Sequence, residues 1–383
     1  MRDDELDLLR GWLAANGRDW GPPEVARGLD RLGLVVSDAS VLAATDALRR
    51  TSVGAGPLEG LLHLDGVTDV LVNGADDVFI DRGAGLERME TGFASDEEVR
   101  RLAARLAASA GRRLDDASPW VDARLPDGTR LHAVLACLAE PGTCISLRVP
   151  ARRSMTLEEL RSGGSIDGRT AAVLAGLVGN KAAFLVTGGT GSGKTTLLGV
   201  LLSLVPDDQR IVIVEDSREL NPDHPHAVRM ECRPPNAEGA GAVTMTDLVR
   251  QALRMRPDRL VVGEVRGPEL CDLLTAMNTG HEGGCGTVHA NSVADVPARL
   301  EALAALGGMG REACHAQIGA ALDAVIHVRR GADGQRGVGQ IGVVRSGDDG
   351  RVRIDEALVV AADGVSRPAG QWSRLAELSG VLS

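Results

Sequence analysis

The run Gly188-Gly189-Thr190-Gly191-Ser192-Gly193-Lys194-Thr195 constrains this chain more than any other stretch. It fits Gly-x-x-x-x-Gly-Lys-[Ser/Thr] in full, and it lies between the apolar segment AAFLVTGG and the helical pattern TTLLGVLLSLV. A strand that runs through such a turn into a helix offers backbone N–H groups and a helix N-terminus to phosphate oxygens. Lys194 then bridges the β- and γ-phosphates, and the Thr195 hydroxyl ligates Mg2+. Residues 188–195 with Thr196 are therefore the candidate site for ATP and Mg2+. A glycine-rich turn without that duty would not require the strand before it and the helix behind it. The chain holds only two lysines, Lys181 and Lys194, and one of them stands in this loop.

Three further segments carry acids or histidines downstream. Arg259 to Arg266 (RLVVGEVR) is an apolar strand ending in Glu264, the form of a Walker B segment. Its carboxylate is the second candidate Mg2+ ligand, through water, or it positions the attacking water. Ile211 to Leu220 (IVIVEDSREL) places Glu215, Asp216 and Glu219 just past a core strand, where they supply a general base, a metal contact or only a solvated strand end. Thr279 to Asn291 (TGHEGGCGTVHAN) sets His281 and His289 around a glycine-rich turn. No third ligand stands at metal spacing, so both read as phosphate sensors and not as zinc ligands.

The net charge of −11 argues against a general electrostatic grip on nucleic acid or an anionic membrane, local basic faces apart. Aromatic residues make up 2% with no tyrosine, which removes base-stacking platforms. Six cysteines without a Cys-x-x-Cys pair favour reduced thiols over a disulfide framework or a four-cysteine zinc site. MRDDELDLLRGW has no apolar leader core, and no run approaches a membrane span, so a soluble cytoplasmic chain is expected.

Patterning divides the chain. Residues 1–55 read as a short helical extension, broken at Gly21-Pro22-Pro23. Residues 56–150 mix short strands such as VTDVLVNG with a Ser-capped helix at 95–110, an α+β domain. An Arg/Ser/Gly-rich linker occupies 151–168. Residues 169–345 alternate strands and helices, which implies βαβ units and a mostly parallel sheet, an α/β fold. Residues 346–383 are expected as a C-terminal tail. The strands around AVIHVRR, GVGQIGVVR and RVRIDEALVV read as a small antiparallel meander.

In this order and spacing the four segments resemble the secretion ATPase superfamily of type II and type IV secretion, type IV pili and Flp/Tad pili. There they correspond to Walker A, the Asp box, Walker B and the His box. VGEVRGPE and MNTGHEGGCGTVHANS are the most specific stretches, and GRRLD, SP and DARLPDGTR between residues 111 and 130 resemble the CpaF-like, Flp/Tad branch. The resemblance spans roughly residues 57–345. It implies a RecA-like P-loop C-terminal domain, a PAS-like α+β N-terminal domain and a homohexameric ring with nucleotide between the two domains. N-domain arginines complete the site in that family. The matching positions are Arg113, Arg124, Arg130 and Arg148, with Arg124 and Arg130 in the densest match.

Glu264, Glu215 and Glu219 share metal and water handling in the family, and which is the base stays open. Gly284-Cys285-Gly286 departs from the usual small hydroxyl, larger apolar, small hydroxyl, which leaves the local turn open. The resemblance thus implies a hexameric cytoplasmic ATPase that powers Flp/Tad pilus assembly or protein secretion. It would dock on an integral inner-membrane platform protein, touch the membrane only through that partner and make no direct nucleic-acid contact. The alternatives are a type IV secretion or conjugal-transfer ATPase, a RecA-like nucleic-acid motor, and a nucleotide-gated scaffold that barely hydrolyses.

Overall fold

A computed structural model describes residues 21–381 except 53, 84, 151–153, 236–238, 281, 332–333 and 362, together with Glu5, Leu8, Leu9, Trp12 and Leu13. The chain divides into two compact units, Met1–Pro150 and Ala151–Ser383.

In the first unit, α1 (Pro22–Arg31) and α2 (Asp38–Ser52) close a small core of Leu9, Leu13, Val25, Leu29, Ala44 and Leu48. A short helix α3 (Glu59–Leu62) follows. Six strands then form one antiparallel sheet: β1 (Asp69–Asn73), β2 (Asp77–Asp81), β3 (Leu86–Arg88), β4 (Trp120–Arg124), β5 (Arg130–Val134) and β6 (Cys144–Arg148). Their order is β3-β2-β1-β6-β5-β4. Alternation decides which face is covered. Val70, Val72, Val78, Ile80, Leu131, Ala133, Ile145 and Leu147 are buried in one core with Val99, Leu102 and Leu106 of α4 (Asp96–Ser109). Ser95 stands at the N-cap of α4 as its sequence position suggests, but its side chain makes no cap bond. Asp96 turns away from the helix and accepts hydrogen bonds from Thr143 N and Oγ1.

The second unit opens with α5 (Leu157–Ser162), closed by a Thr156–Glu159 capping box, inside the stretch expected as a linker. Its Leu160 is buried in the main core. Then come α6 (Gly168–Gly179), β7 (Phe184–Gly188), α7 (Lys194–Leu202), β8 (Ile211–Glu215), β9 (Ala227–Glu231), α8 (Met245–Ala252), β10 (Arg259–Val262), α9 (Glu269–Met277) and β11 (Cys285–Val288). The chain closes with α10 (Val296–Leu306), α11 (Arg311–Ala321), β12 (Ala324–Arg330), β13 (Arg336–Ser346), β14 (Val352–Val360), β15 (Ser366–Pro368) and α12 (Trp372–Ser379).

Nine strands make one sheet, ordered β15-β14-β13-β12-β7-β11-β10-β8-β9. β12, β7, β11, β10, β8 and β9 run parallel, and β13, β14 and β15 continue antiparallel from β12. The expected α/β sheet is therefore present. The four strands that carry the motifs are buried along their whole length, as strands covered on both faces must be. One face packs Phe184, Val186, Ile213 and Ile326 against α6, α7 and Leu375 of α12. The other packs Leu185, Val212, Val214 and Val262 against α8, α9, α10 and α11.

Residues 346–383 are not a separate tail. β14 and β15 extend the same sheet, and Leu358, Val360 and Leu375 belong to its core. The C-terminal strand is also fastened to the start of α6. Asp167 caps that helix through Thr170 N at 2.8 Å, and its other oxygen accepts from Ser366 N at 2.8 Å and Ser366 Oγ at 2.6 Å.

Candidate functional site

β7, β11, β10 and β8 are in parallel register, so their carboxyl ends share one edge of the sheet. Ligands in open α/β sheets bind at such an edge. Each motif emerges there: the glycine-rich loop after β7, His289 after β11, Glu264 just past β10 and Glu215 at the end of β8. Gly188, Gly191 and Gly193 all have positive φ, which bends the loop into the start of α7.

Lys194 is buried, and its Nζ donates to the carbonyls of Gly188 at 3.1 Å and Gly189 at 2.8 Å. Its third contact is His289 Nδ1 at 3.4 Å. Burial pushes the ammonium below its ordinary pKa, and Arg266 adds to the fall while Glu264 and Glu219 oppose it. Ser192 Oγ donates to Gly189 O at 2.8 Å. Thr195 is half-buried in the first turn of α7, and Thr196 is exposed.

His289 joins the lysine to the acid. Its Nε2 lies 3.0 Å from Glu264 Oε1. An ammonium can only donate, so Nδ1 accepts from Lys194 and the proton of a neutral ring sits on Nε2, directed at Glu264. The ring's pKa is lowered, by burial first and then by Lys194, in keeping with a neutral imidazole. Glu264 Oε2 accepts from Arg266 Nη2 at 2.7 Å, and Arg266 Nη1 reaches Asp216 Oδ2 at 3.4 Å. Burial alone would raise the Glu264 pKa. The bond and charge of Arg266, with His289 and Lys194, outweigh it and hold the carboxyl below its ordinary value.

Glu215 sits in a different environment. It is 3% exposed, its Oε1 accepts from Glu219 N and Leu220 N at 2.9 Å each, and its Oε2 is buried with no hydrogen-bond partner among the described residues. Burial pushes this carboxyl up to about 7, against the two backbone donors. Gly263 leaves room for it, since a Cβ there would lie 2.6 Å from Glu215 Cγ. Glu219 itself is exposed.

The open turn at residues 284–286 proves to be the entry to a strand. Cys285 is buried as the first residue of β11, with its thiol pushed up to about 12 by burial. A Cβ on Gly286 would lie 2.6 Å from Val262 O, so glycine lets β11 close against β10. Thr287 Oγ1 then donates to Gly263 O at 2.7 Å and fixes the residue before Glu264.

The second unit thus gathers Lys194, His289, Glu264 and Glu215 at one edge. His281 lies outside the described residues. Arg124 and Arg130 belong to the first unit, where they face each other across β4 and β5. Arg148 stands next in the same row and reaches Asp69 Oδ1 at 3.2 Å, and Arg113 pairs with Asp115. Sequence reasoning gave no role to Arg266 or to Glu269, which is buried and accepts from Arg266 N at 2.7 Å and Gly267 N at 2.8 Å. Their one signal was an acid and an arginine crowded beside Glu264 in VGEVRGPE.

The family model for type II/IV secretion system proteins matches residues 51–367. This chain belongs to that family. The resemblance to secretion ATPases is borne out. A putative conjugal transfer protein of Mycobacterium tuberculosis H37Rv is 54% identical over 325 residues, covering 83% of this chain and 92% of the relative. The type IV secretion system protein PtlH of Bordetella pertussis is 34% identical over 253 residues, 59% of this chain and 73% of the relative. Among solved structures, the ATPase DotB of Yersinia pseudotuberculosis shares the fold with TM-score 0.56 at 17% identity, over 76% of this chain and 78% of that one. The pilus retraction motor PilT with bound ADP does so with TM-score 0.50 at 19% identity, over 82% and 84%. The second unit is accordingly RecA-like.

Proposed function

We propose that this chain is an ATP hydrolase that works as a homohexameric motor for Flp/Tad-type pilus assembly or protein secretion. The observation that carries the reading is the convergence of Lys194, His289 and Glu264 at the carboxyl edge of a parallel sheet. Lys194 would exchange the carbonyls of Gly188 and Gly189 for phosphate oxygens. His289 Nδ1 would then lose its donor, so the hold on Glu264 would depend on whether a nucleotide occupies the loop. Glu264, ionised at neutral pH, handles the attacking water together with Glu215 and Glu219. Arg124 and Arg130, from the chain's own first unit or a neighbour's, lend positive charge to the phosphates.

The residues present fit Mg2+. The Thr195 hydroxyl and the low-pKa Glu264 carboxylate are hard oxygen donors, and a bound Mg2+ would neutralise charge on the phosphates.

The motor would sit at the cytoplasmic face of the inner membrane on an integral platform protein. Two observations support contact through a partner. None of the described helices is long and apolar enough to cross a membrane, and the chain carries a net charge of −11. A second reading, conjugal transfer or type IV secretion, is favoured by the names of the relatives at 54% and 34% identity.

Hydrolysis of Mg-ATP tests the shared chemistry. Lys194→Ala should lose both nucleotide binding and turnover. Glu264→Gln should still bind ATP while turnover falls by about 100-fold or more. Parent-like hydrolysis by either variant removes the reading, and stimulation by DNA would turn it toward a nucleic-acid motor.

A further inference from the structure

The loop after β7 has two flanks. On one side β11 and β10 deliver His289 and Glu264. On the other side β12 pairs with β7 as far as Val328 opposite Gly188, which ties the β12–β13 hairpin to the first residue of the loop. That hairpin places Arg330 directly opposite Arg336 at its end. Two like charges in opposed positions of an antiparallel pair repel each other.

The three arginines of the hairpin end differ in what they do. Arg329 spends its guanidinium on the carbonyls of Val360 at 2.9 Å and Ala361 at 3.2 Å. Arg330 donates from Nε to Gly334 O at 3.3 Å. The side chain of Arg336 is exposed and makes no hydrogen bond or ion pair among the described residues. Its position is nonetheless fixed. Neighbouring Gln335 donates to Gly163 O at 3.0 Å and accepts from Gly331 N at 2.7 Å, and Val338 N donates to Ser165 O at 3.2 Å. The stem of Arg336 runs beside Gly193, the N-cap of α7. A Cβ on that glycine would lie 3.7 Å from Arg336 Cδ and 3.9 Å from its Cβ.

We infer that Arg336 is a further ligand of the nucleotide's phosphate chain, supplied by the same chain that carries the loop and from the flank opposite His289. The inference rests on the P-loop reading above. The chemistry it fits is a polyphosphate: the N–H groups of the α7 terminus and the Lys194 ammonium serve one side, and a planar fork of N–H donors serves the other.

The test is calorimetric titration of the whole chain with the non-hydrolysable analogue AMP-PNP. Arg336→Ala should raise Kd about tenfold, the scale of one charge-assisted hydrogen bond. Arg336→Lys should recover most of the loss, Arg336→Glu should bind more weakly than Ala, and the Tm of the unliganded variants should match the parent. Binding by Arg336→Ala equal to the parent, while Lys194→Ala loses it, overturns the inference and leaves the P-loop reading standing. Parent-like binding by Lys194→Ala removes that reading and the inference with it. An equal loss in Ala, Lys and Glu variants, or a fall in Tm, makes Arg336 a structural residue and also overturns it.

Discussion

Two glutamates at one edge of one sheet have their pKa values moved in opposite directions by what surrounds them. Glu264 has a guanidinium on one oxygen and an imidazole on the other, and its pKa falls. Glu215 has two backbone donors on one oxygen and, among the described residues, none on the other, and burial raises it to about 7. The sign of the consequence follows from linkage. Below the unfolded value of 4.5 Glu215 is protonated in both states. Between 4.5 and about 7 the folded chain keeps a proton that the unfolded chain has lost, so stability falls as pH rises through that window. The cost at pH 8 is up to about 3 kcal/mol. Glutamine keeps an oxygen for the two backbone donors and carries no charge. Glu215→Gln should therefore raise Tm above the parent at pH 8, with the gain vanishing toward pH 4.5. Calorimetry at several pH values checks this, and a gain independent of pH would show that burial of charge is not the cause.

At the scale of elements, the fastening of β15 to α6 makes a definite demand. Asp167 serves as a helix cap and as acceptor for a strand nearly two hundred residues away. Its pKa falls to about 2 because the bonds from Ser366 and Thr170 outweigh burial. The stability it lends is present above 3.8 and is lost as pH falls toward 2. Asp167→Ala should lower stability by about 1–2 kcal/mol at pH 6, the worth of a lost cap with a stranded partner. The deficit should shrink at pH 2.5, and equal deficits at both values would deny the carboxylate this role.

The same staple explains what the sequence concealed. β7, the loop and α7 were legible because the motif fixes strand, turn and helix together. The alternation from 169 onward likewise announced a parallel sheet. At the end of the chain the antiparallel hairpins of β12, β13 and β14 were legible. That they continue the parallel sheet through β12 beside β7, and that β15 is fastened to α6, was not, because those contacts join residues of long sequence separation. α11 was hidden too. Its buried face includes Cys314 and His315, and the latter is a polar staple that accepts from Val352 N at 3.0 Å and meets Glu301 Oε1 at 2.7 Å. Edge strand β9 is half-buried apart from exposed Arg229 and gives no alternation to read. In the site, Lys194, Glu264 and His289 stood out by motif. Arg266 and Arg336 did not, since what each does depends on which strand end folds beside it.

For the whole molecule the decisive question is whether one chain is a complete catalyst. Within the second unit, the described groups around the loop include Lys194, His289 and Glu264. The arginines singled out by sequence lie in the first unit as a row across three strands: Arg124, Arg130 and Arg148. An arginine delivered to transferring phosphates is worth roughly 10³–10⁵ in rate. Arg124→Ala and Arg130→Ala should therefore lower turnover while AMP-PNP still binds, whereas an unchanged rate in both makes the row structural. A homohexamer adds a demand that a monomer does not. If neighbours complete each site, Mg-ATP hydrolysis per subunit should rise steeply with protein concentration, and the rise should track the appearance of the large species on sizing. Constant activity per subunit in samples that size as monomer would show that each chain carries its whole site, and the ring would then have no part in the chemistry.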